Sequence, residues 1–91
     1  MKPTEKEIRA ECDALRNRRV GQLTRGIHDE LEAMIDALTG ELDPTAPEFT
    51  ELAYHERQAA TKALEWREGM NRKRPSEYWS NTKDVPDAPT P

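Results

Sequence analysis

From Ile8 to Leu38 the larger apolar side chains fall mostly three or four positions apart: Ile8, Cys12, Leu15, Val20, Leu23, Ile27, Leu31, Met34, Ile35 and Leu38. Such a stripe follows the period of an α-helix. One step, from Leu15 to Val20, is five, and Gly21 and Gly26 follow it. Each glycine inside a helix costs ~1 kcal/mol against alanine. The pattern predicts one long helix over 4–39 with a weak or bent point near 17–26. Two helices broken at Gly21 are the alternative. Pro3, Thr4 and Glu7 open it with capping-box spacing, and Gly40 offers a stop.

A turn over 40–45 follows, with Asp43 and Pro44 as breaker. Thr45 and Glu48 repeat the capping-box spacing, and Pro47 suits a first helical turn. A second helix is expected over 46–73. Its apolar face is Phe49, Leu52, Ala53, Ala59, Ala60, Ala63, Leu64, Trp66 and Met70. Pro75 pushes Arg74 out of the helical region and ends it. A short element is expected over 75–79, and a disordered tail over 80–91, where three prolines accompany a single aliphatic side chain, Val85.

Composition agrees with an all-α fold. Two Val, three Ile and one Phe are poor material for a sheet, whereas Ala, Leu, Glu, Arg and Met favour helices. The expected architecture is an antiparallel two-helix hairpin in one domain, 1–79. Pairing Leu38 with Phe49 places Met34 opposite Ala53, Ile27 opposite Ala60 and Leu23 opposite Leu64. With 91 residues, 34% apolar and mean hydropathy −1.03, its own core is small. The N-terminal stripe of Ile8, Cys12 and Leu15 overhangs the second helix. Tyr78 and Trp79, a second copy in a homodimer, or a partner could cover it.

Several classes fall away. No run approaches the ~18 apolar residues of a membrane span, and the first residues lack the apolar region of a signal peptide. Cys12 is the one cysteine, so no internal disulfide framework or cysteine-rich zinc site is possible. A reduced, cytoplasmic setting is expected. No glycine-rich phosphate loop or serine nucleophile motif is present. His28 and Glu32, and Glu51 and His55, have i,i+4 spacing, but a helical wheel points all four outward, whereas bundle metal sites use inward ligands. Cys12 reads as a small core residue. The expectation is a non-catalytic chain with no metal or cofactor.

Charge is the most informative remaining feature. Residues 1–25 carry seven basic and four acidic side chains, and residues 26–51 carry eight acidic and none basic. Residues 52–74 return to six basic and three acidic. A folded hairpin would be basic at its open end and acidic at its turn. The candidate acidic surface is Asp29, Glu30, Glu32 and Asp36. The candidate basic surface is Arg16, Arg18, Arg19, Arg67, Arg72 and Arg74. Ordinary solvation, with Glu48 and Glu51 at a helix start and Arg72, Lys73 and Arg74 at a helix end, accounts for much of this without a partner. Arg67 and Glu56 fall in the apolar stripe of the second helix. They either pair between protomers or snorkel to its edge, the latter being the simpler reading. Trp79 is a possible partner anchor, although as structure it would cap Ile8 and Cys12.

These features point to a protein–protein interaction module, a small regulator or inhibitor that docks on a larger protein. The alternative is a nucleic-acid accessory protein using the basic end, to which Trp66 and Trp79 could add stacking. The net charge of −4 opposes the alternative at long range.

Overall fold

The computed structural model describes the backbone of residues 2–21 and 25–82 and side chains through Trp79. The described residues form five helices: α1 (Glu5–Gly21), α2 (Arg25–Thr39), α3 (Pro47–Thr50), α4 (Tyr54–Arg67) and α5 (Pro75–Thr82). The all-α architecture with two principal packed helices, α2 and α4, is the one expected. None of the described helices is long and apolar enough to cross a membrane.

The first expected helix is divided. An unbroken helix over 5–39 would measure ~52 Å at 1.5 Å per residue. The longest dimension is 39 Å, because α1 packs back along α2. Arg19 pairs with Glu32, while Ile8 and Cys12 line a groove with Leu38 and Thr39. Positions rise on one helix as they fall on the other, so α1 and α2 form the antiparallel hairpin. The break adjoins Gly21, the alternative drawn from the glycines. Val20, expected in the stripe, is 85% exposed. The expected Leu23–Leu64 contact falls partly outside the described residues.

Capping chemistry fixes the ends that the sequence marked. Thr4 N–H donates to Glu7 Oε1 at 2.9 Å, and Glu7 N–H donates to Thr4 Oγ1 at 3.2 Å. Helix α2 stops in a Schellman motif at Gly40, φ 85°: Gly40 N–H donates to the Ala37 carbonyl and Glu41 N–H to the Asp36 carbonyl. Arg67 Nη1 also donates to the Ala37 carbonyl at 3.1 Å, bringing a cation to the negative end of α2.

The second expected helix, over 46–73, is divided as well. The Thr45–Glu48 box does not form. Asp43 takes both the N–H and the hydroxyl of Thr45 in a tight turn, and α3 begins after Ala46 without a side-chain cap. Residues 51–53 then separate α3 from α4 although no glycine or proline stands there. Arg57 Nη1 donates to the carbonyl of Thr50 at 3.1 Å, holding the two pieces together. At the far end, Gly69, φ 83°, gives a second Schellman motif: its N–H donates to the Trp66 carbonyl and Met70 N–H to the Glu65 carbonyl. Met70, expected on the apolar face, therefore lies beyond the helix and is 78% exposed.

The register between α2 and α4 also differs from the expected pairing. Glu30 and His55 meet near the starts of the two helices, and Ala37 and Arg67 meet at their ends. The helices thus run in the same direction, and residues 40–53 carry the chain back along α2. Ala59, Ala60 and Ala63 are buried, which lets α4 approach Leu31, Met34 and Leu38 closely. Large residues on one helix facing alanines on the other is the expected mode of packing, in another register.

The short element expected over 75–79 is α5, which runs on to Thr82. It contributes buried Pro75 and Trp79, and the Trp79 indole N–H donates to Met34 Sδ. With α5 in place, Cys12 and Leu15 are buried. The overhanging stripe that invited a second copy is covered by the chain itself. Of the tail expected over 80–91, residues 83–91 lie outside the described residues.

Candidate functional site

Helix α2 carries all four acidic candidates on a well-packed element, since Leu31, Ala33, Met34, Ile35, Ala37 and Leu38 of the same helix are buried. Asp29 is exposed. Glu30 is half-buried, and its carboxyl is raised above the usual range by burial, with nearby Glu56 pushing the same way and His55 opposing. His55 Nε2 lies 4.0 Å from Glu30 Oε2. Asp36 is raised by burial first and by the like charges of Glu32 and Glu41 next, with Arg19 acting against them. Glu32, Asp36 and Glu41 therefore form a mutually repelling group around the last turns of α2. That end of a helix already carries partial negative charge, and no basic residue of α2 stands in its last turn.

The basic candidates do not converge. Arg19 is half-buried and spans to Glu32, joining the basic segment to the acidic one. Arg18 is half-buried beside it in sequence. Arg16 is exposed, 3.6 Å from Asp13, and lines a groove that includes Arg67, Ile8 and Leu38. Arg72 and Arg74 are exposed and line a different groove with Lys2. The expected separation into a basic open end and an acidic turn is absent because α1 runs back along α2, which sets Arg19 against Glu32.

Two further expectations change. Arg67 is half-buried, and within the chain its guanidinium is used on the Ala37 carbonyl. Trp79 is 5% exposed and belongs to the core, so it is not presented as a surface anchor. The plainer reading, with Trp79 covering the N-terminal stripe, matches the packing of α5 on α1. Cys12 is buried as a core residue, and burial pushes its thiol above the ordinary value. Of the four residues expected to point outward, Glu32 pairs with Arg19 and His55 faces Glu30. Among the described residues no group of three or more His, Cys, Asp and Glu side chains is placed to hold a metal ion.

Glu11 was missed. It is 2% exposed, and its Oε2 accepts the N–H of Ser76 in the first turn of α5. A carboxylate there satisfies a donor that the helix leaves open and meets the positive end of its dipole. The spacing held a signal, since Ile8, Glu11 and Leu15 lie at i, i+3 and i+7 on one face. Its partner, 65 residues away, had none.

Comparison with protein-family models, with curated proteins and with solved structures finds no match to this chain.

Proposed function

We propose that this chain is a non-catalytic docking module whose acidic α2 face binds a basic surface on a larger protein. The observation that supports the reading is the crowding of Glu32, Asp36 and Glu41, whose like charges add to burial in raising the Asp36 carboxyl. Like charges held together at the negative end of a helix are unfavourable in the free protein, and a basic partner relieves that repulsion. The packed side of α2 fixes the backbone carrying these groups, so little ordering is left for binding to supply. No cofactor is needed. A reduced cytoplasmic setting suits the free, buried Cys12. A small regulator or inhibitor would work in this way, by occupying a surface rather than by performing chemistry.

The test is capture of a basic protein from the native host on immobilised protein. Capture should weaken when salt rises from about 50 to 200 mM. An Asp29→Lys/Asp36→Lys variant should lose it while retaining a cooperative melt. Equal capture by the variant, or salt-insensitive capture, would overturn the reading.

A further inference from the structure

A second charged feature lies away from the acidic face and is independent of it. A groove between the start of α1 and the loop joining α4 to α5 is lined by Lys2, Arg72 and Arg74, with Pro3, Trp66 and Asn71 completing its wall. We propose that this groove is an anion site that takes a phosphate group.

Three observations carry the proposal. The first is how the cations are held. The loop is short and fixed at both ends, by the Gly69 cap of α4 and by Pro75, which is buried at the first position of α5. Within it, Lys73 N–H donates to Asn71 Oδ1 at 3.1 Å, and Arg74 N–H donates to Glu77 Oε1 at 3.4 Å. The backbone carrying Arg72 and Arg74 is thus set before any ligand arrives. The second is that no described residue engages these guanidinium groups. Among the described residues no carboxylate lies within ion-pair distance of Arg72 or Arg74. They are not needed to cap α4 either. The Leu64, Glu65 and Trp66 carbonyls already accept the N–H groups of Glu68, Met70 and Gly69. The third is charge balance. Lys2, Arg72 and Arg74 outnumber Glu7, which also lines the groove, and Glu68, which lies 3.6 Å from Lys2. The groove is net positive in a chain whose overall charge is −4.

Arginine presents a planar set of donors suited to two oxygens of one phosphate, and lysine adds a mobile point charge. Two arginines and a lysine opening on one groove fit that ligand better than a single carboxylate, which offers fewer acceptor oxygens.

Calorimetric titration at low salt tests the site with two probes, tripolyphosphate and a short single-stranded oligonucleotide with or without a 5′-phosphate. Backbone amide shifts should identify the site by movement of Gly69, Asn71 and Lys73. An Arg72→Gln/Arg74→Gln variant should bind about tenfold or more weakly, since the charge-assisted hydrogen bonds of two guanidinium groups are removed. Arg9→Gln, on the other groove, should bind as the wild type does, and both variants should melt normally because these side chains are exposed. Binding of tripolyphosphate, or of the oligonucleotide only with its 5′-phosphate, assigns a terminal phosphate ligand. Equal binding without the 5′-phosphate assigns the nucleic-acid backbone. Absence of saturable binding by either probe, or binding that the double variant leaves intact, overturns the proposal. So does preference for a glutamate-rich peptide over both. None of these outcomes depends on the acidic face of α2.

Discussion

Asp36 and Asp43 stand seven positions apart, and the fold moves their carboxyl groups in opposite directions. Asp36 is raised by burial and by Glu32 and Glu41, so the folded state holds its proton more tightly than the unfolded chain does. Its ionisation therefore disfavours folding. The penalty is absent below the ordinary aspartate value and sets in as pH rises through the raised folded value. Asp43 is lowered by the backbone N–H and then the hydroxyl of Thr45. Its contribution is present above the ordinary aspartate value and disappears as pH falls through the lowered one. Urea unfolding from about pH 3 to 7 separates the two. Asp36→Asn should gain on the wild type as pH rises, and Asp43→Ala should lose ground over the same direction. Parallel pH dependences would contradict the assignment. The sequence placed both residues in an acidic stretch but could not distinguish them, because the difference lies in surroundings: a turn for Asp43, burial and then three charged residues for Asp36.

At the scale of the element, local chemistry was legible where it stood alone. Thr4 with Glu7 and Gly40 mark helix ends, and both act as marked. The same capping-box spacing at Thr45 and Glu48 failed because Asp43, two residues upstream, competes for the same hydroxyl and N–H. Gly69 was obscured by a polar run that stays helix-compatible as far as Pro75. The break over 51–53 has no breaker residue at all, so it is set by where α4 must lie for its alanines to reach α2. Glycines consequently divide by conformation. Gly69 has φ 83°, where a side chain clashes with the following carbonyl. Gly69→Ala should cost ~1–2 kcal/mol. Gly26 lies in the first turn of α2, and nothing would meet an added Cβ there. Gly26→Ala should stabilise by up to ~1 kcal/mol. Chemical denaturation checks both, and shifts of the same sign would refute the distinction.

At the scale of the whole molecule, the helical period identified most of the core residues, Val20 and Met70 excepted, but not which way the helices run. Six turn residues suggested an immediate reversal; fourteen, from 40 to 53, are enough to return the chain along α2. An extended chain of that length reaches ~46 Å, twice the ~22 Å length of α2. The folded chain thereby covers the stripe of Ile8, Cys12 and Leu15 itself, using α5 as the last piece. Among the interactions that join α5 to the rest are the Ser76 N–H bond to buried Glu11 and the insertion of Trp79 beside Met34, with Tyr78 packed against the core under Lys62. Glu11→Ala removes a buried carboxylate and its part-buried bond to the Ser76 N–H and should cost ~1–3 kcal/mol. Trp79→Ala removes a large core side chain and should cost ~3–5 kcal/mol. Because both act through one short helix, loss of either loosens the other, and the double variant should cost less than the sum of the two. Urea denaturation of the four proteins gives the coupling directly. Additivity within ~0.5 kcal/mol would mean that the two contacts act independently. In that case α5 would not be docked as a unit, and Glu11 and Trp79 would each hold their own part of it.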